Sequence, residues 1–529
     1  MLRSRIRLLV IVLASLGLVL ITVGLIARQS LPGVARRILI AELQDRFHSS
    51  IEIDDIRVQG VSPVTIVARD VTLRYQGRND VPPLMAIEQL TASASLHGFW
   101  TRKWHVTRVH MEGLRVSIPP HMHEHRASYL VPQAHPKLRF PPLEFDEVTA
   151  DNALLQILPA QEGRKPHSFW IHHLVLHSVN RGQPAYFHAQ LTNPVPTGEI
   201  DSQGSFGPWD ADQPSLTRVA ANFHFVNANL GQFRGLSGTL SSTGHYEGVL
   251  ERIDVEGDAA VPDFSLSVSD KPVPLHTHYV AVVDGTNGNT YLKTVDARFL
   301  HSSLRVEGRV IDPPGPSRRR IVLAVATTSA RVEDLLRLVT KGDAVPLEGA
   351  VKLRAQFELP SGPADLVDRL SLNGRFEITR ASFQNRQTQE KIDALSRRGQ
   401  GEPGNQEISH VLSDLRGTLA VRQAQTYFQR LEFTVPGAAV FLKGSYGLRS
   451  ESIDLHGQIQ LSSKLSHTTR GIRSVLLRGL DPFFKDGAGG SVLPIKITGS
   501  RSDPSFGLEL RRHIAARSRT SDVPGPEQR

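Results

Sequence analysis

LRVEGRV at 304–310, VFLKGSY at 440–446 and IDLHGQI at 453–459 are copies of one unit: apolar, any, apolar, any, glycine, any, apolar. Side chains alternate across a β-strand, so positions one, three, five and seven share a face. In the first copy that face carries Leu304, Val306, Gly308 and Val310, while Arg305, Glu307 and Arg309 point the other way. The third copy sets Ile453, Leu455 and Ile459 against Asp454, His456 and Gln458. Further copies stand at 253–259, 345–351 and 370–376, with looser ones at 200–206 and 495–501. Strands of this kind are wet on one side and greasy on the other. They predict a mainly β chain: an elongated, curled antiparallel sheet, as a groove or half-barrel, with a few short helices.

The recurring glycine admits two readings. It can weaken a strand end or open a turn. Alternatively, a missing side chain on the apolar face lets the sheet curl towards that face, and repetition would make a trough with a greasy interior. The intervals are irregular, so a fixed-period solenoid is not supported. Only Gly444 and Gly457 are close enough to suggest adjacent hairpin strands.

Outward from these units, period two begins at Ile51. Ile51, Ile53, Ile56 and Val58, then Val64, Ile66, Val71 and Leu73, read as short successive strands. Helical spacing is sparse, with its best examples at 331–340, 387–396 and 470–480. Three short helices cannot cover a long one-sided sheet. Its apolar face must close on itself, in a sandwich or barrel, or meet lipid. The Pro- and His-rich stretch 119–142 and the Pro-rich stretch 311–320 read as loops.

At the N-terminus, LLVIVLASLGLVLITVGLIA (8–27) is uncharged. As a helix it would span about 30 Å, the thickness of a bilayer's hydrocarbon core. Leu8, Val12, Leu16, Leu20 and Ile26 are its anchor positions. A cleaved signal peptide would have an apolar run of about 7–15 residues and a small-x-small site, so an uncleaved anchor is the expectation. Arg3, Arg5 and Arg7 precede it and Arg28, Arg36 and Arg37 follow. The positive-inside count is thus nearly tied, broken only by the terminal amine. A short flank before the helix and a long chain after it fit a signal-anchor with the bulk translocated. The expected organisation is an anchor at 1–30, an amphipathic linker helix at 31–50, a β-rich groove region at 51–382, a C-terminal region at 383–510 and a disordered basic tail at 511–529.

A chain of 529 residues is too long for one ordinary core. With 40% hydrophobic and 21% charged residues it has the balance of a folded chain. The absence of cysteine excludes a disulfide framework, a thiolate metal site and a cysteine nucleophile. The net charge of +9 is scattered and comes with no nucleic-acid-binding pattern, which favours a membrane over a nucleic acid as the anionic partner. His121, His123 and His125, with His135 nearby, could approach a transition metal from an extended segment. No second ligand group with established spacing accompanies them, and a solvated loop is the preferred reading. His172, His173 and His177 read as structural. No nucleophile elbow, phosphate loop, dinucleotide fingerprint or zincin helix occurs. The expectation is a protein without catalytic residue, cofactor or metal.

The C-terminal region carries KIDALSRRGQGEPG (391–404), VLSDLRGTLAVRQAQTYFQRLEFTVPGAAVFLKGSYGL (411–448), IDLHGQIQLSSKLSHTTRGIRSVLLRGLDPFFK (453–485) and GAGGSVLPIKITGSRSDPSFGLEL (487–510). In its order of elements it resembles the AsmA-like proteins of Gram-negative envelopes: a strand into Pro-Gly-Ala, paired glycine-containing strands, a short helix, then a Leu-Pro-Ile-x-Ile-x-Gly strand. The resemblance implies an inner-membrane anchor and a periplasmic β-groove related to bridge-like lipid-transfer proteins. It also implies movement of phospholipid towards the outer membrane, or upkeep of that membrane's lipid balance. Leu304, Val306, Val440, Leu442, Ile453 and Leu455 are then the lipid-facing positions. The partners are phospholipid or another acyl-chain lipid, the inner membrane and outer-membrane or envelope proteins. An envelope scaffold with a closed, dry β core is the alternative, and an anchored hydrolase a third reading.

Overall fold

The computed structural model describes residues 49–59, 64–75, 79, 81–94, 104–119, 143–159, 166–180, 182–210, 212–269, 271–312, 319–341, 345–462 and 491–508, with Gly33, Arg36, Arg37, Ile40 and Gln44. The expected anchor, the histidine loop, the helix at 470–480 and the basic tail lie outside them. The isolated residues 33, 36, 37, 40 and 44 are helical. Arg36 donates to the Ile53 carbonyl (3.0 Å), and Ile40 packs on the first apolar core. Among the described residues no helix is long and apolar enough to cross a membrane.

The protein is mainly β, a curved and largely antiparallel sheet structure with few helices. It divides into two compact units: 1–228 with 242–256 and 282–288, and 229–241 with 257–281 and 289–529. In the first, β1 (Ser49–Gln59), β2 (Val64–Tyr75) and β3 (Met85–Ala94) form a meander. β4 (Trp104–Glu112) and β5 (Arg115–Ile118) both run alongside β3, interrupted at Gly113, whose φ is +63°. β6 (Leu143–Ile157), β7 (His167–Val179), β8 (Ala185–Pro194), β9 (Thr197–Phe206) and β10 (Arg218–Asn229) continue antiparallel to one another. The joint between β4–β5 and β6 is parallel, a departure from the all-antiparallel expectation. A tight hairpin cannot join parallel neighbours, and the long segment between Ile118 and Leu143 supplies the crossover length. Ile53, Val71, Leu73, Leu90 and Val109 are central to this unit's core.

β11 (Leu236–Ser237), β12 (Thr239–Val249), β13 (Arg252–Leu266) and β14 (Val273–Asp284) follow in sequence. The second unit then runs through β15 (Asn289–Phe299), β16 (Ser302–Ile311), β17 (Arg320–Ser329), β18 (Leu347–Pro360), β19 (Ser371–Phe383) and β20 (Ser413–Arg422). β21 (Gln425–Val435), β22 (Ala438–Gly447), β23 (Ser452–Leu461), β24 (Ser491–Ser500) and β25 (Pro504–Leu508) complete it. From β15 onward every strand pairs antiparallel with the next. Bulges interrupt six of these joints, as between Thr418 and Leu419 or Phe428 and Leu431. Each bulge bends its strand and tightens the local twist.

Three described helices accompany this sheet: α1 (Val332–Arg337), α2 (Leu366–Arg369) and α3 (Arg386–Gly399). α1 and α3 fall where helical spacing predicted helices. α2 is barely one turn, too short to leave a periodic signal. It is capped by Asp365, whose carboxylate accepts from the Val367 amide (3.0 Å).

α1 is pinned by its acids. Asp334, almost fully buried, accepts from the His301 amide (2.9 Å) and the Ser302 hydroxyl (2.8 Å), and Glu333 accepts from the Gly349 amide (3.1 Å). α3 is held the same way. Asp393 accepts from the amides of His410 (3.0 Å) and Val411 (2.9 Å), and Ser396 donates to the Pro436 carbonyl (2.9 Å).

Candidate functional site

Register across the second unit turns isolated sequence copies into rows. Val351, Ile378, Leu415, Phe433, Val440, Ile459 and Leu493 stand side by side on seven successive strands. The next row on the same face runs through Leu353, Phe376, Gly417, Leu431, Leu442, Gly457 and Ile495. The third contains Val306, Val325, Ala355, Gly374, Leu419, Phe428, Gly444, Leu455 and Ile497. The fourth includes Gly308, Leu323, Phe357, Leu372, Tyr446 and Ile453. These rows make a broad apolar face.

The glycines in these rows are mid-strand residues paired with neighbours, which removes the turn reading for them. At Gly444 φ is +145°, and an added Cβ would collide with the Asp454 carbonyl. At Gly457 it would collide with the carbonyl of Phe441. At Gly417 it would collide with the Arg430 carbonyl, and the edge of the Phe376 ring lies 3.2 Å from where the Cβ would sit. Backbone approaches backbone here because the side chain is missing, and an aromatic ring from the next strand fills the gap.

Helices cover part of this face. Leu335 and Leu336 of α1 pack with Val351 and Ile378. Ile392 of α3 packs with Val435, Ala438 and Leu461, and Leu395 with Val440 and Leu442. The six positions expected to face lipid therefore share one face but not one environment. Val440 and Leu442 are 5% and 7% exposed beneath α3. Leu304, Val306, Ile453 and Leu455 are half-buried. Leu455 leans on the edge of the cluster under α3, whereas Leu304, Val306 and Ile453 belong to none of the clusters that α1 and α3 cover. Leu323, Phe357, Leu372, Leu419 and Phe428 are half-buried as well, extending the partly covered surface beyond the residues that sequence pattern singled out. Their signal was ordinary strand alternation, visible only one strand at a time.

The opposite face of the same strands is charged. Glu432, 5% exposed, receives Arg416 (2.5 Å) and Arg430 (3.2 Å). The hydrogen bond from Arg416, seconded by Arg430 and opposed by burial, holds the Glu432 carboxyl below the usual carboxylate range. In the first unit, His173 meets Asp151 (2.6 Å), His172 meets Thr192 (2.7 Å) and His188 meets Asp201 (2.9 Å), all as ties between strands. The bond to His188 lowers the pKa of Asp201. Among the described residues no three His, Asp or Glu side chains are placed to hold a metal ion.

The fold and this face define a class: a mainly β protein whose one-sided strands expose a broad, partly covered apolar surface. Comparison with family models, curated proteins and solved structures finds no match to this chain.

Proposed function

We propose that this is a membrane-anchored, periplasmic lipid-handling protein that receives acyl chains on the apolar face of its second unit. Its role would be phospholipid transport between inner and outer membranes, or outer-membrane lipid homeostasis. The observation that carries this reading is the set of half-covered apolar rows around Val306 and Ile453, beyond the clusters under α1 and α3. The apolar N-terminal segment and the AsmA-like pattern at 383–510 support it. Burial of methylene groups is worth about 0.8 kcal/mol each, so eight of them would gain about 6 kcal/mol before ordering costs. Such binding is non-directional and tolerant of headgroup, which suits a conduit more than a selective receptor. It calls for no catalytic residue, cofactor or metal.

The test uses the full chain in cells, with a photo-crosslinking amino acid replacing Val306, Ile453 or Leu455, or the exposed Glu199 of the first unit as a control. Phospholipid adducts at the three apolar positions and none at 199 are expected. Adducts with other proteins at the apolar positions would favour the envelope-scaffold reading, to which the dry packing of Val440 and Leu442 under α3 lends its support. Absence of any adduct at 306, 453 and 455 would overturn lipid occupancy.

A further inference from the structure

The polar face of the second unit sorts its charges by row. One row reads Lys352, Glu377, Arg416, Glu432, with signs alternating from strand to strand as cross-strand stability favours. The adjacent row does not alternate. Arg354 stands directly opposite Arg375, which faces Thr418 and then Arg430. Lys443 falls opposite the bulge that contains Arg430, then faces His456, which faces Lys496. Seven strands thus contribute one line of about 30 Å containing no carboxylate.

Arg430 is engaged by Glu432 and His456 by Asp454. Arg354, Arg375, Lys443 and Lys496 are exposed and have no ion-pair partner among the described residues. Like charges facing across strands destabilise a sheet. The neighbouring row shows that this sequence can avoid the arrangement. At one end the line opens into a depression of about 530 Å³ lined by Ala324 and Ala326, by Arg354, Arg375, Gln356 and Asn373, and by Glu307 and Arg305, the last already paired with Asp296 (3.0 Å). Arg354 and Arg375, opposite each other on β18 and β19, lie two and three strands from Glu307 on β16, and their planar guanidinium groups suit the oxygens of a phosphate ester.

We propose that this basic row is a docking surface for the anionic phospholipid headgroups of a bilayer, with one headgroup phosphate seated between Arg354 and Arg375. Charge complementarity and an open sheet face argue for a membrane. Surfaces that track a single-stranded polyanion combine a groove with several stacking aromatics. On this face of β18–β24 Tyr427 is the one large, exposed aromatic among the described residues, and a single tyrosine beside cations is an interfacial pattern. The surface lies opposite the apolar rows and does not require lipid on them, so this inference goes beyond the lipid-handling reading and can fail separately.

The full chain, reconstituted in phosphatidylcholine vesicles, is offered separate fluorescent vesicles of phosphatidylcholine alone or mixed with phosphatidylglycerol. Co-flotation of the anionic vesicles is expected to exceed that of the neutral ones roughly tenfold and to collapse at high salt. The combined R354Q, R375Q, K443Q and K496Q substitutions should abolish capture, while K352Q with R422Q, on the same face but off the row, should retain it. Circular dichroism checks the fold of each variant. The composition and salt dependence of the unsubstituted protein stand even if a variant misfolds. Equal capture of neutral vesicles, undiminished capture by the folded quadruple variant, or binding of a single-stranded oligonucleotide without anionic vesicles would each overturn the proposal.

Discussion

Gly457 shows what a single missing side chain does here. Its strand lies so close to β22 that a methyl group would strike the Phe441 carbonyl, part of a paired backbone with little room to yield. Gly457→Ala should destabilise this hairpin by about 2 kcal/mol, a roughly thirtyfold rise in amide hydrogen exchange for peptides from β22 and β23. Lys443→Ala, exposed on the same hairpin, should change exchange little. Equal effects of the two would refute the close-approach account. Glu432 gives a second residue-scale expectation. Its pKa is depressed in the folded state, so its stabilising contribution is present above the unfolded glutamate value of about 4.3 and fades as pH falls through the folded value. Glu432→Gln should therefore be less stable than the parent at neutral pH, with the gap closing below about pH 4. A gap independent of pH would show that Arg416 and Arg430 contribute nothing through charge. The sequence offered no hint of this triangle, because it depends on the bulge at Thr418 that sets the register of β20 on β21.

At the scale of elements, the helices explain both what pattern reading could find and what it could not. The spacing within 331–340 and 387–396 was enough to place α1 and α3. Their docking was not legible, because polar groups do much of it. The buried side of α3 includes Gln389, Asp393 and Ser396, residues that hydropathy would assign to solvent. Asp393 joins α3 to the start of β20 through two amides and to Gln389 (2.9 Å). Asp393→Ala would leave those buried donors unanswered, at a cost of about 2–3 kcal/mol. The expected readout is faster hydrogen exchange across 386–411, with Asp393→Asn recovering part of the protection by keeping one acceptor oxygen. If Asp393→Ala left exchange unchanged, apolar contacts through Ile392 and Leu395 would be holding the helix alone. The parallel joint in the first unit escaped the sequence for a related reason. β4, β5 and β6 each read as ordinary strands, and only the long segment before Leu143 distinguishes their connection from a hairpin.

At the scale of the molecule, one task is proposed for each of the two faces of the second unit's sheet. The alternation of LRVEGRV makes that division visible within one strand, but neither face exists as a site until register aligns its strands. Leu304 and Leu442 looked equivalent in sequence, yet α3 covers only the second. The basic row is harder still to foresee, since Arg354, Arg375, Lys443 and Lys496 come from four strands and none stands out within its own. Two separable activities follow. Aspartate at both Val306 and Leu455 should remove the phospholipid that co-isolates with the protein, because a carboxylate among acyl chains is strongly disfavoured. The same variant should still capture phosphatidylglycerol vesicles. The quadruple glutamine variant should do the reverse, keeping its co-isolated phospholipid and losing vesicle capture. With folding confirmed for both, loss of the two activities together in either variant would mean that tails and headgroups share one surface, and the assignment of one task to each face would fall.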